Sequence, residues 1–265
     1  CAQITGFLKA IRDRTDLRTQ TEALENRLAE ALRLAGRKDA FLGTLAHELR
    51  SPINAIGNAT LVIRRSGQED QRAKATEIIE RQTAAIGRLV DDLLDATRID
   101  VGRLRLKVEP VVLQDAIAGA VGLHAESARA RQQQLQVLLP EVAVVLEADP
   151  MRLQQIFGNL VENAIKYTPA HGNIWVTATV EGKFAVVRVQ DDGSGMSPET
   201  LPRIFEMFTR DDRALDSASD GLGIGLAVVK NLVQLHHGIV EVQSAGPGRG
   251  SEFTVNLPLQ QPTFE

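Results

Sequence analysis

A histidine followed at once by a glutamate, His47 and Glu48, sits inside the strongly helical run "FLGTLAHELRSP", with Pro52 five residues past the histidine. An imidazole that points into a core is packing, whereas one that points at water is free for chemistry near neutral pH. A second set lies on "QQIFGNLVENAIKYTP", where Asn159, Asn163 and Lys166 or Tyr167 recur at helical spacing beside an apolar stripe of Leu153, Phe157, Leu160 and Ala164. Amide oxygens can ligate a hard cation and an ammonium can meet phosphate, so the polar stripe suits a magnesium triphosphate. The bland alternative is a surface helix whose asparagines face water.

A third set is "VQDDGSGMSPE", in which Asp191 ends an expected strand and Gly193 and Gly195 follow. A carboxylate is thereby placed beside backbone that can approach a flat ligand closely, although the same pattern is also a good turn. Ser197 and Pro198 read as a helix cap and first helical position, and Phe205 and Phe208 of "LPRIFEMFTR" as core anchors. Last comes "DDRALDSASDGLGIGLAVVK", which has the look of a mobile lid running into a glycine-rich helix start. Gly221, Gly223 and Gly225 would let amide groups crowd around an anion at the positive end of that helix. It is neither a GxxxxGK[ST] loop nor a strand-plus-GxGxxG dinucleotide unit.

The elements that must hold these residues fall into two textures. From about Thr21 to Arg64 apolar or small residues recur at alternating four and three spacing, through Leu24, Leu28, Ala31, Ala35, Leu42, Leu45 and Leu49, which reads as a long helix entering a coiled coil or bundle. A second seam runs through Ala75, Ile79, Gln82, Ile86, Leu89, Leu93 and Ala96, and the polar "RRSGQEDQ" between the two predicts a turn. Such a hairpin cannot bury its apolar face well alone, which predicts a dimer forming a four-helix bundle. On this seam His47 lies about 200° around from Leu45 and should face solvent. Pro52 offers no amide hydrogen to the carbonyl of Glu48, which predicts a kink just beyond the histidine.

After about Arg103 strand and helix patterns mix. "RLRLKVEPVVL", "LQVLLP", "VAVVLEAD", "NIWVTATVEG", "KFAVVRVQD", "GIVEVQSA" and "GSEFTVNLP" read as strands. "LQDAIAGAVGLHAESARARQ" and the stretches from about Met151 to Tyr167 and Leu222 to His236 read as helices. Neighbouring strands in succession predict antiparallel pairing with helices on one face, hence an α+β sandwich. In isolation "GPGRGSEFTVNLP" is only a glycine-rich hairpin.

Composition narrows the function classes. Among 265 residues, 30 basic against 34 acidic give a net charge of -4, so no global basic field recruits nucleic acid, and 4% aromatic content argues against base-stacking platforms. The single cysteine, Cys1, excludes a disulfide framework and a cysteine zinc site and fits a reducing compartment. There is no membrane-length apolar run and no signal peptide, so the chain as given is expected to be cytoplasmic, with membrane anchoring left open for a longer protein. Because it opens in mid-pattern without a methionine, we expect a fragment lacking an upstream part.

Order and spacing together carry a resemblance. "FLGTLAHELRSP" resembles the H box of bacterial sensor histidine kinases, "NLVENAIKYT" their N box, "DDGSG" the G1 box, "IFEMF" the F box and "GLGIGLAVVK" the G2 box. "LLDATRIDVGRLRL" is similar to the usual exit from the dimerisation hairpin, and the likeness covers roughly Arg37 to Pro258. The resemblance implies an N-terminal signalling helix at 1–36, a dimerisation and histidine phosphotransfer hairpin at 37–102, and an ATP-binding α+β sandwich of the histidine kinase/gyrase type at 103–262. It implies His47 as phosphoacceptor attacking the γ-phosphate of ATP, with Glu48 orienting and polarising the ring. Asn163 would ligate Mg²⁺ with Asn159 and Lys166 near the phosphates, Tyr167 near the nucleotide, and Asp191 accepting from the adenine amine beside Gly193 and Gly195. The lid would run from about Ser197 to Leu222, with Gly221, Leu222, Gly223 and Gly225 at its phosphate-facing end. Implied partners are a second copy of the chain, the receiver domain of a response regulator, and an upstream sensor domain.

Three departures from the family pattern matter. Ala46 precedes the histidine where many members carry serine. Ser51 stands where members that also dephosphorylate their partner usually have threonine or asparagine, which leaves phosphatase activity open. Asn159 occupies the place where related ATP-hydrolysing clamps carry a water-activating glutamate, and its absence favours transfer to a side chain. A catalytically silent dimeric scaffold and an ATP-hydrolysing clamp are the competing readings.

Overall fold

The structure is a computed structural model that describes residues 43, 45, 46, 49–100, 104–207, 209 and 223–259. His47, Glu48, Phe208, Gly221, Leu222, the helix expected at 1–36 and nearly all of the first seam lie outside the described residues. So does the carbonyl of Glu48 at which a kink is expected. The chain divides into two units, Cys1–Ser51 and Pro52–Glu265. In the first, residues 49–51 are helical and Ser51 is exposed.

The second unit opens with a helical hairpin. Helix α1 covers residues 52–65 there, and Ser66, Gly67 and Gln68 make the turn into helix α2 (Glu69–Asp100). Ser66 closes the turn by accepting the Gln68 amide at 3.1 Å and donating to Gln71 Oε1 at 2.8 Å. As far as Leu93 the α2 seam is as its spacing predicts, Ala75 being buried and Ile79, Gln82, Ile86, Leu89 and Leu93 half-buried while most described residues between them are exposed; the side chain of Ala96 lies outside those described. Among the described residues no helix is long and apolar enough to cross a membrane.

Beyond the hairpin an extended segment, 104–108, leads into strand β1 (Glu109–Val112), helix α3 (Leu113–Ala130), strand β2 (Gln134–Leu138) and strand β3 (Val145–Ala148). Helix α4 (Pro150–Tyr167), strands β4 (Asn173–Glu181) and β5 (Phe184–Asp191), helix α5 (Gly225–Leu235) and strands β6 (Ile239–Gln243) and β7 (Ser251–Pro258) follow. The main sheet runs β2-β4-β5-β7-β6. The strand expected over "RLRLKVEPVVL" shrinks to β1, which pairs with β3 in a separate two-stranded sheet.

The expectation of purely antiparallel pairing is corrected at one edge, where β2 runs parallel to β4. Between them the chain passes through β3 and α4, a connection long enough to return to the same end of the sheet, which a tight hairpin cannot do. The pairs β4–β5, β5–β7 and β6–β7 are antiparallel. Burial alternates along β7 and through much of β4, so one sheet face is closed while the other carries half-buried polar groups. Ile174, Val176, Val187, Val189, Phe253 and Val255 face inward with Ile117, Phe157, Leu160, Val228 and Leu232 of the three helices.

Candidate functional site

Asp149 starts α4. Its Oδ1 accepts the amides of Met151 at 3.1 Å and Arg152 at 3.2 Å, and Pro150 follows where a missing N–H costs nothing. From that start the helix turns Leu153, Phe157, Leu160 and Ala164 into the core and leaves Asn159, Asn163, Lys166 and Tyr167 half-buried on the neighbouring stripe. The polar stripe predicted from spacing therefore exists. Asn159 Nδ2 donates to Gly225 O at 3.4 Å, and the Lys166 ammonium lies 5.1 Å from the centre of the Tyr167 ring. At the C-terminal end, the carbonyls of Ile165 and Lys166 accept from the Arg131 guanidinium at 2.8 and 3.1 Å. Gln133 Nε2 donates to Ile165 O at 2.9 Å and Thr168 O at 2.7 Å.

Asp191 ends β5 with only 5% of its surface exposed. Its Oδ1 accepts the Gly193 amide at 2.9 Å and its Oδ2 the Ser251 hydroxyl at 2.6 Å. Burial pushes the carboxyl above the ordinary Asp range, and the bonds from Ser251 and Gly193 pull against that. The loop after Asp191 is packed too tightly for side chains: a Cβ on Gly193 would collide with the Tyr167 carbonyl, and one on Gly195, at φ 62°, with the Gly246 carbonyl. Ser194 N donates to Tyr167 O at 3.0 Å, which ties this loop to the end of α4.

The hairpin between β6 and β7, which the sequence offered only as a glycine-rich turn, is the other wall of this loop. Gly248 N donates to Ser194 O at 2.6 Å, Gly250 N to Gly193 O at 3.0 Å, and Met196 N to Ser244 Oγ at 3.0 Å. Sequence reasoning missed Ser251 and Ser244. The signal was a serine opening an expected strand, and it acquires meaning only through the register that sets Ser251 opposite Asp191.

Beside the middle of α4, Gly223 adopts φ 66° and Gly225 begins α5, whose start has no side-chain cap. The first amides of a helix are where an anion can bind, and Ile224 offers no side chain to compete for them. A Cβ on Gly225 would make only an ordinary 3.7 Å contact with Asn159, so close packing does not require glycine there. Ser197 does not begin a helix. Its Oγ accepts the Thr200 amide at 3.2 Å in a turn that leads to a single 3-10 turn, Leu201–Arg203. Phe205 is half-buried, edge-on to Phe253 at 6.2 Å with Lys230 Nζ 5.9 Å from its ring centre, in keeping with an anchor.

The structure therefore brings Asn159, Asn163, Lys166, Tyr167, Asp191, Gly193, Gly195, Gly223 and Gly225 into one connected region, linked through Tyr167–Ser194 and Asn159–Gly225. Among the described residues no three His, Cys, Asp or Glu side chains form a metal cluster, so a cation here would depend on amide oxygens and the ligand's own charge. An apolar groove of about 770 Å³, lined by Leu138, Val142, Val145, Thr179, Val180 and Leu259 among others, contains none of these residues.

Two family descriptions match the chain: "His Kinase A (phospho-acceptor) domain" over residues 37–102 and "Histidine kinase-, DNA gyrase B-, and HSP90-like ATPase" over residues 148–261. The circadian input-output histidine kinase CikA of Synechococcus elongatus is 34% identical over 92% of this chain and 34% of its own length. The curated relatives are longer proteins, of which the chain spans 26% to 43%. Full-length ShkA, solved in complex with AMPPNP, is 30% identical with a TM-score of 0.59 over 82% of this chain and 45% of that one. The histidine kinase AdeS of Acinetobacter baumannii shares the fold, with 22% identity and a TM-score of 0.59 over 80% of this chain and 98% of its own. With a helical phospho-acceptor region followed by an α/β ATPase domain of mixed sheet, the chain belongs to the histidine kinase family of two-component signalling.

Proposed function

We propose that this chain is the kinase portion of a sensor histidine kinase, which autophosphorylates on His47 and passes the phosphoryl group to an aspartate of a response regulator. The observation that carries the reading is the buried Asp191 carboxylate, fixed by Gly193 and Ser251 and walled by glycines that leave backbone in place of side chains. The carboxylate oxygens carry four lone pairs against three bonds, from the Gly193 amide and from the hydroxyl and backbone of Ser251, so the seat fits an exocyclic amine such as that of adenine. The match to the ATPase family and the AMPPNP complex of ShkA support ATP as the ligand.

In this reading α4 holds the phosphates. Asn163, helped by Asn159, offers amide oxygens to Mg²⁺, whose charge would neutralise the triphosphate during transfer. Lys166 lies on the same stripe, and the uncapped start of α5 with Gly223 and Gly225 receives phosphate oxygens. Gly221 and Leu222 complete the lid's phosphate end. A His47 imidazole nitrogen attacks the γ-phosphorus, the bond to the β,γ-bridging oxygen breaks, and ADP leaves with that oxygen. Glu48 orients the ring and takes up its proton. Because the nucleophile sits on the hairpin and ATP on the sandwich, transfer depends on how the two are placed, and a signal that moves the helices can gate it.

Dimerisation through the hairpin, a sensor domain upstream, a cytoplasmic setting and the receiver domain as acceptor complete the proposal. The domains are 1–36, 37–102 and 103–262. Ser51, exposed four residues past the histidine, can orient a water for phosphatase action. Incubation with γ-labelled ATP and Mg²⁺ tests the reading. Acid-labile, alkali-stable label is expected on the wild type and is lost in His47→Gln, which still binds nucleotide. Steady phosphate release without protein labelling would point to a hydrolysing clamp, and nucleotide binding with neither to a silent scaffold.

A further inference from the structure

His236, the residue that follows α5, is 2% exposed and lies at the opposite end of that helix from Gly225. Its Nδ1 lies 2.8 Å from Leu232 O and its Nε2 accepts the backbone N–H of Asp149 at 3.1 Å. Two such bonds define one tautomer, with the proton on Nδ1 and a lone pair on Nε2. Burial lowers the affinity of this ring for a second proton, which keeps the lone pair available at neutral pH.

The residue that donates this bond makes four others as well. Asp149 donates its N–H to His236, its carbonyl accepts from Leu153 N at 2.9 Å, and Oδ1 accepts from Met151 and Arg152. Its Oδ2 accepts the amide of Lys107 at 2.9 Å, in the extended segment that enters from the hairpin. One residue therefore joins the linker, the start of α4 and the end of α5.

Asn159 also bonds to Gly225, at the start of α5. These two hydrogen bonds, start to end and middle to start, set α4 and α5 as an antiparallel, packed pair. About ten residues of helix, roughly 15 Å, separate the two contacts. The near contact is beside the phosphate end of the site and the far one holds the linker. A stiff helix that shifts at one contact must be accommodated at the other.

We propose that His236 is a positioning residue that couples nucleotide occupancy to the hairpin linker, through Asp149 and the amide of Lys107. This rests on the reading that α4 and the start of α5 hold ATP. It adds a route by which the sandwich reports its ligand state to the segment leading to the hairpin.

The test uses the full chain, Mg²⁺ with AMPPNP as probe, and trypsin cleavage after the exposed Arg105 as readout. In the wild type, nucleotide is expected to slow that cleavage about fivefold or more, the lower end of ordinary coupling. His236→Gln, whose carbonyl can accept the Asp149 amide, keeps the ratio. His236→Leu, of similar bulk without an acceptor, loses it while still binding AMPPNP by calorimetry. A merely structural histidine would raise cleavage equally with and without nucleotide. Should the leucine variant fail to fold, Lys107→Pro removes the linker's donor at an exposed position and is expected to lose the ratio as well. Nucleotide protection that persists in either variant, or binding that leaves wild-type cleavage unchanged, overturns the proposal. Absence of AMPPNP binding to the wild type overturns the nucleotide reading and this coupling with it.

Discussion

The hairpin and the sandwich bury their apolar residues to different depths. In the sandwich Phe157, Leu160 and Val228 are fully enclosed by one sheet face and three helices. In the hairpin Leu61 and Val90 stay 45% and 41% exposed, and the α2 seam is only half-covered. Two helices side by side cannot enclose an apolar stripe, whereas a sheet with helices on it can. The sandwich therefore has a core of its own, while the hairpin presents a face suited to a second copy.

The largest effect should come from charging that face. Leu61→Glu with Val90→Glu places four unpaired carboxylates in the proposed bundle. We expect the dimer to weaken on the order of a thousandfold or more by sedimentation, with AMPPNP affinity of the sandwich unchanged. A variant that stays dimeric would move the interface elsewhere. Next is Asp191→Asn. Loss of a hydrogen bond to a charged acceptor is expected to weaken nucleotide binding by about 10- to 100-fold, read by calorimetry.

The same substitution should leave Tm unchanged or raised. Burial raises the Asp191 carboxyl, so the stabilisation tied to its protonated form is lost as pH rises through that raised value, and at neutral pH the protein carries a buried charge. Removing the charge removes that cost.

An effect of similar size, about 1–3 kcal/mol of stability by urea titration, is expected for Gly250→Ala. Gly250 has φ 68°, and a Cβ there would collide with the Asp191 carbonyl, so the damage should stay in the sandwich and spare hairpin assembly. The smallest concerns pH. Burial depresses His236 below the ordinary imidazole value of 6.5, against the bond to the Leu232 carbonyl and the nearby Asp149 and with His237 assisting, so the unfolded chain takes up the proton first. Stability is then full above that value and falls as pH drops below it. Tm should decline between about pH 7.5 and 5.5 and decline less in His236→Gln.

Local pattern carried much of this architecture. The 3.6-residue period placed α3, α4 and α5 within a few residues, because each has one unbroken apolar face. The stripe of Asn159, Asn163 and Lys166 follows from the same period. What local pattern could not supply was pairing between distant segments. The parallel β2–β4 edge, the diversion of β3 to β1 and the Ser251–Asp191 contact each depend on a partner tens of residues away. Asp149 is the last residue of the expected strand "VAVVLEAD", and its bonds to His236 and Lys107 arise only when three separate segments meet. The helix expected at Ser197 fell to a short turn because Pro202, four residues past Pro198, removes another amide donor.

Helix α4 borrows its last carbonyl partners from Arg131 and Gln133, more than thirty residues upstream. No glycine ends α4, and Thr168 follows it in extended backbone. A fragment begun at Ala148, where the ATPase match starts, would fold this helix with its final turn open to water just where Lys166 and Tyr167 project. A truncation that looks harmless on paper would thus fray the end of α4 that carries Lys166 and Tyr167.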